Sequence, residues 1–336
     1  MMSKRYEKFD VLRAFAILGV VLIHTTAPLA TDGEVFSVVV NQASRFAVPA
    51  FFILSGWGLT ISNSLERSKN YVSFIKKRLW GLLPLYLMWN VVYLFSTGSF
   101  KEYTSLSLST LNELAREIFL GGIHSHLYFV PIISLFYIIY PLLLKYTNER
   151  NLLWALGITI VSQLLDYGFT RESFYMDNNP LNWFFYFILG IWLAQNFEEK
   201  IEKIKQYKIP ITAGVFISFA TIVLTAFLGE SIFGYDLALA STRPSVIIYS
   251  SMIIAFTMVT AIDLSFLNKI LLPISKYSYY IYLSHYFFVD ILRDLLVPAD
   301  WADHSIFFTF FTFLLVVGFS FVTSIGMEKV ARKLNI

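Results

Sequence analysis

The sequence predicts an all-α, polytopic integral membrane protein of about ten transmembrane helices. Three observations carry this. Of the 336 residues, 57% are hydrophobic and 15% charged, against roughly 25% charged in an average soluble domain. The apolar residues fall in runs of the length, about 20 residues, that crosses a hydrocarbon core. Lys and Arg are spread unevenly between the intervening loops. A soluble core has no means of hiding so much apolar surface beneath so little charge, whereas lipid acts as solvent for the outer face. Phe occurs 33 times, which suits lipid-facing helices and interfacial belts.

The candidate spans are 8–30, 36–62, 79–97, 126–146, 151–167, 181–197, 209–229, 244–264, 273–292 and 304–326. Each is apolar all round rather than alternating, so helices are expected and not a barrel. The N-terminus has the Lys4, Arg5, Lys8 and apolar run of a signal peptide. That run is too long, holds Asp10, Arg13 and His24, and lacks a small-residue cleavage site, so it reads as a retained helix. With the N-terminus inside, 20 of the 26 Lys and Arg fall on inside segments, and the alternation holds loop by loop. This predicts N-in, C-in topology. The outside loop 98–125 is expected to carry a short amphipathic helix lying on the membrane surface. Ser109 would cap it, Leu111, Leu114 and Ile118 would share a face, and Gly121-Gly122 would stop it. No internal repeat or low-complexity tract appears, so residues 1–336 read as a single membrane-embedded domain. There is no cysteine, which excludes disulfides, thiolate metal sites and a cysteine nucleophile. Net charge is +3, without the basic, aromatic-interleaved patch of a nucleic-acid binder.

Ionisable groups within a membrane span are costly and mark candidate functional sites. The first span holds three. Arg13 and His24 are 11 residues apart in the sequence, about 20° beyond three helical turns, so they share one face with a rise of about 16 Å. Asp10 lies about 40° away on the same side. A polar stripe therefore runs from the cytoplasmic mouth into the membrane. The alternative is that Asp10 and Arg13 pair at the interface while His24 only packs. In the second span, Pro49 is expected to kink the helix. Ser55 and Gly56 allow close approach of another helix.

These residues fall in stretches that resemble the acyltransferase 3 family of membrane acyltransferases. The resemblance begins with Phe9-Asp10-Val11-Leu12-Arg13-Ala14-Phe15-Ala16-Ile17 and His24, like the family's Arg-x10-His pattern with its preceding acid. It continues through Phe51-Phe52-Ile53-Leu54-Ser55-Gly56 and the basic run Lys76-Lys77-Arg78 ahead of Pro84. Then come His126-Leu127-Tyr128-Phe129-Val130-Pro131, the aromatic stretch Trp183 to Gly190, and Ser278-Tyr279-Tyr280-Ile281-Tyr282-Leu283-Ser284-His285. The ordered matches span residues 9 to 285. The chain departs from the family at Gly81, near which the family often has a second arginine, so a donor contact there is not carried over.

The resemblance implies transfer of an acyl group, usually acetyl, from cytoplasmic acyl-CoA (acetyl-CoA) to a hydroxyl of an extracytoplasmic glycan, cell-wall polymer or glycolipid, in a bacterial cell membrane. The residues fit this chemistry. An alcohol needs a general base, and histidine titrates near neutral pH, which suits His24. Arg13, Lys76, Lys77 and Arg78 face the side where CoA phosphates would lie; plain positive-inside anchoring is the alternative for the cluster. Arg45, Ser55, His126 and His285 are expected toward the acceptor, with an interfacial role open for His126 and core packing for His285. His124 and His304 read as solvated loop residues. His124 and His126 lack a third ligand at helical spacing, so no metal site is expected. A transporter exporting a small polar or anionic solute is the competing function, since buried Arg and His serve as substrate or proton sites there too.

Overall fold

A computed structural model describes residues 7–105, 107–169, 173–260, 265–296 and 306–333. Lys4, Arg5, Arg171 and His304 lie outside these residues. The described residues are predominantly helical, with no strand among them. Helix α1 (Glu7–Thr31) has 25 residues, a length of about 37 Å at 1.5 Å per residue. The chain then turns at Glu34, whose carboxylate accepts the Phe36 and Ser37 N–H groups at 3.0 and 2.6 Å and so caps α2 (Val35–Ala43). Helix α3 (Ala47–Ile61) continues the same span after a break at 44–46.

That break corrects the kink expected at Pro49. Pro49 stands in the first turn of α3, where its missing N–H has no intrahelical acceptor to lose. The chain opens just before the proline, and Arg45 stands in the opening.

The next span is likewise divided, into α4 (Tyr71–Trp80) and α5 (Leu83–Ser96). Helix α6 (Leu108–Leu120) occupies the following connection. Ser107, not Ser109, caps it, taking the Thr110 N–H at 3.2 Å. Gly121 ends it at φ +75°, where a Cβ would come within 2.5 Å of the Tyr128 backbone, so only glycine turns the chain there. The remaining elements are α7 (Phe129–Tyr146), α8 (Glu149–Phe169), α9 (Ser173–Asn178), α10 (Leu181–Ala194), α11 (Phe197–Lys205), α12 (Lys208–Phe233), α13 (Tyr235–Ala238), α14 (Pro244–Val259), α15 (Asn268–Lys276), α16 (Ser278–Leu296) and α17 (Ile306–Lys333).

Seven stretches among the described residues are long and apolar enough to cross a bilayer. Helices α10, α14 and α16 cover the other three predicted segments. The first two are short, at 14 and 16 residues, and α16 brings Asp290, Arg293 and Asp294 into its last turns. Large apolar side chains such as Trp154, Phe216 and Phe307 point outward from α8, α12 and α17, forming a belt that water would not tolerate and lipid does. The chain is a multi-pass membrane protein.

Helix α1 is the hub and touches α2, α3, α15, α16 and α17. Its Phe9, Leu12 and Ala16 enter one core, built on Phe52, Phe136, Trp183 and Phe187 of α3, α7 and α10. Its Ala14, Ile17 and Val21 enter a second, built on α5, α16 and α17. Helices α3 and α10 meet through glycine. A Cβ on Gly56 would lie 2.3 Å from the Phe187 carbonyl oxygen, and one on Gly190 2.1 Å from that of Ile53. Backbone contact this close needs small residues on both sides. It also fixes the wall of the site.

Candidate active site

Between the two cores lies a cavity of about 620 Å³. Helix α1 supplies Arg13, Val20, His24 and Ala27 to its wall, spaced at steps that keep one helical face turned inward. From Arg13 to Ala27 the wall extends about 21 Å at the helical rise, much of a hydrocarbon core about 30 Å thick. Arg78 joins Arg13 at one end, with Ser55 and Tyr137 near them, while Arg45, Asp177 and Ser241 close the other. His24, His126, Tyr282 and Tyr286 line the space between.

Each cation is held by its surroundings. Arg13 pairs with Asp10 at 3.0 Å, so the interfacial pair and the cavity-lining arginine are the same residue. Arg78 donates through Nη2 to Ser64 Oγ at 2.5 Å and lies over the Phe74 ring. Its Nε is buried with no hydrogen-bond partner in the fold, which leaves a donor for an anionic group. Lys76 and Lys77 are exposed on α4 and do not reach the cavity. Arg45 donates to Asn41 Oδ1 from Nε and Nη2, at 3.0 and 2.6 Å, and to Ser241 Oγ at 2.9 Å. Asn41 in turn donates to the Ile23 carbonyl and Thr26 Oγ1, both at 3.0 Å. The guanidinium is thereby tied to α1 one residue from His24. Near Arg45, burial pushes the Asp177 carboxyl up to about 7, with Arg45 opposing the shift.

The histidines form one cluster. The His24 ring lies 5.2 Å from His285, 4.6 Å from Tyr286 and 6.3 Å from His126, between centroids. His24 retains surface on the cavity, whereas His126 and His285 are almost wholly enclosed. Helix α16 presents His285 and Tyr286 on successive positions, and the tight turn at Gly121 carries the chain back so that His126 meets them.

The structure thus brings Asp10, Arg13, His24, Arg45, Ser55, Arg78, His126 and His285 to one site and leaves Lys76 and Lys77 outside it; Ser55, expected toward the acceptor, stands instead near the Arg13 end, beside Tyr137. It also corrects the solvated reading of His124. That ring is half-buried, hydrogen-bonded to His126 and paired with Asp290 at 3.1 Å. Asp177 and Asp290 join the site without any signal in the sequence, because their partners lie far along the chain. Among the described residues no group of acidic and histidine side chains has the arrangement of a metal site.

Residues 6–325 match the family model for an acyltransferase domain. A Bacillus subtilis protein named as a membrane-bound acyltransferase, YfiQ, is 22% identical over 316 residues, 87% of this chain and 83% of that protein. A Staphylococcus epidermidis protein named as a poly-beta-1,6-N-acetyl-D-glucosamine export protein is 23% identical over 344 residues, 94% of this chain and 90% of its own. An Enterococcus faecalis protein named as an amino-acid racemase is 28% identical over 180 residues, 54% of this chain and 25% of that protein. No solved structure matches the chain. With the family model covering nearly its whole length, over the helices that build this cavity, the chain belongs to the acyltransferase 3 family.

Proposed function

We propose that this membrane acyltransferase moves an acyl group, acetyl in the simplest case, from acyl-CoA at the Arg13 end of the cavity to a hydroxyl of a carbohydrate or glycolipid at the Arg45 end. The observation that carries the reading is the single cavity that joins Arg13 and Arg78, through His24, to Arg45. The loop charges put the Arg13 end in the cytoplasm, where acyl-CoA is found. Guanidinium groups recognise phosphate oxygens, and the unpartnered Nε of Arg78 is a donor of that kind. His24 is the general base. It takes the hydroxyl proton as the oxygen attacks the thioester carbonyl. The carbon–sulfur bond then breaks, and the proton returns to the CoA sulfur. The acceptor class follows the relatives named for a glucosamine polymer.

Purified protein in proteoliposomes, with labelled acetyl-CoA on one side and a glucosamine oligosaccharide on the other, tests this. Labelled oligosaccharide together with free CoA on the donor side is expected. The export names of some relatives favour a transporter as the second reading. Oligosaccharide flux without any acyl donor, and no CoA release, would establish that reading in place of the first.

A further inference from the structure

A second cavity, of about 580 Å³, lies beside the first and is lined by Ser96, Thr97, His124, Asp290, Arg293 and Asp294. Ser125 and Tyr286 line both cavities. Through this partition runs a hydrogen-bonded string. Asp290 Oδ2 lies 3.1 Å from His124 Nε2, and His124 Nδ1 lies 3.0 Å from His126 Nδ1.

The ends of the string fix its protons. A carboxylate only accepts, so His124 carries its hydrogen on Nε2. The Nδ1 of neutral His124 is then an acceptor, and His126 must donate from its own Nδ1. This leaves a lone pair on His126 Nε2, an atom that is buried with no hydrogen-bond partner in the fold. The Leu283 carbonyl borders the same ring and accepts the Tyr93 hydroxyl at 2.9 Å, but no hydrogen bond joins it to Nε2. His285 is set the same way. Its Nδ1 lies 2.7 Å from the Tyr282 carbonyl, which can only accept, so its Nε2 also keeps a lone pair without a partner. The rings of His126 and His285 are 5.0 Å apart, and both pack against His24.

We propose that Asp290 and His124 are positioning residues that act through His126, fixing its tautomer and supplying the negative charge that offsets the imidazolium formed when the acceptor hydroxyl loses its proton. The inference rests on the reading of His24 as the base. In the step, the hydroxyl O–H bond breaks and the proton goes to His24. The imidazolium so formed faces the Nε2 lone pair of His126, whose ring lies 6.3 Å away, and the carboxylate of Asp290 offsets its charge through the string. His24 returns the proton to the CoA sulfur as the carbon–sulfur bond breaks, so no proton is gained or lost. The other polar groups facing the string are Tyr93 and Tyr286 on His124, Tyr93, Tyr282, Tyr286 and His285 on His126, and Arg293 on Asp290 at 3.6 Å. Arg293 is exposed and leaves Asp290 the acceptor for His124.

Nitrogen-15 NMR of histidine-labelled full-length protein tests the string without any substrate. His124 is expected as the Nε2–H tautomer and His126 as the Nδ1–H tautomer, and Asp290→Leu, which removes the acceptor that an amide would keep, should move His124 off Nε2–H. His126 found with its proton on Nε2, or His124 unchanged in Asp290→Leu, overturns the proposal. With acetyl-CoA and a glucosamine oligosaccharide, Asp290→Asn and His124→Gln should each lower kcat about tenfold or more while leaving KM for acetyl-CoA unchanged. Unchanged kcat in variants that keep the expected NMR pattern would make the string structural and overturn the inference while sparing His24. Full activity in His24→Ala would instead defeat the underlying reading, whatever the NMR shows.

Discussion

Arg13 and His24, both on α1, open onto the same cavity, one near the end that Arg78 lines and the other inside a histidine cluster. A single helix thus links the proposed donor end of the cavity to the proposed base.

The first consequence concerns the donor. Arg78 lies on the cavity wall, while Lys76 and Lys77 face away from it on the same helix. Arg78→Ala should raise KM for acetyl-CoA about tenfold, the scale of a lost charged hydrogen bond. Replacing Lys76 and Lys77 together should change KM less than about twofold, as for exposed charges. Steady-state kinetics at fixed ionic strength separate the two. Equal effects would return the cluster to plain anchoring.

The wall of the cavity depends on the meeting of α3 and α10. Gly190→Ala would press a methyl group onto the Ile53 carbonyl, where a Cβ sits at 2.1 Å, and no side-chain rotation relieves a clash with backbone. A loss of about 1–3 kcal/mol is expected. Gly157→Ala, with open space at its Cβ, is the control. Thermal unfolding in detergent should rank the two variants in that order.

Asp177 gives a pH signature. Its carboxyl is pushed up to about 7 by burial, so the folded protein holds that proton through a range in which the unfolded chain, near 4, has released it. Stability from this group is therefore full below about pH 4 and declines as pH rises toward the folded value. Asp177→Asn keeps the neutral form at every pH. It should raise the Tm relative to the parent at pH 8 and barely alter it at pH 4. An equal difference at both pH values would contradict the burial of that carboxyl.

Much of this site was legible in the sequence, for local reasons. The shared face of Arg13 and His24 follows from helical period alone, and the need for small residues at Gly56 follows from helix packing. The break before Pro49 was less legible. Proline announces that a helix is interrupted nearby, but a proline in the first turn costs nothing, so the interruption falls ahead of it. The cap at Ser107 rather than Ser109 is the same kind of near miss, because either hydroxyl can serve a first turn. The pairing of His124 with Asp290, separated by 166 positions, had no local signature at all. Only the turn at Gly121 and the packing of α16 against α1 and α5 bring the two together.

The most direct test is the His24→Ala protein, purified with the same helicity and detergent stability as the parent and assayed for acetyl transfer from acetyl-CoA to a glucosamine oligosaccharide. The expected result is a rate lower by about 10²- to 10⁴-fold, the usual contribution of general base catalysis, with acetyl-CoA still bound through Arg13 and Arg78. Transfer at the parental rate would contradict the central claim that His24 takes the proton.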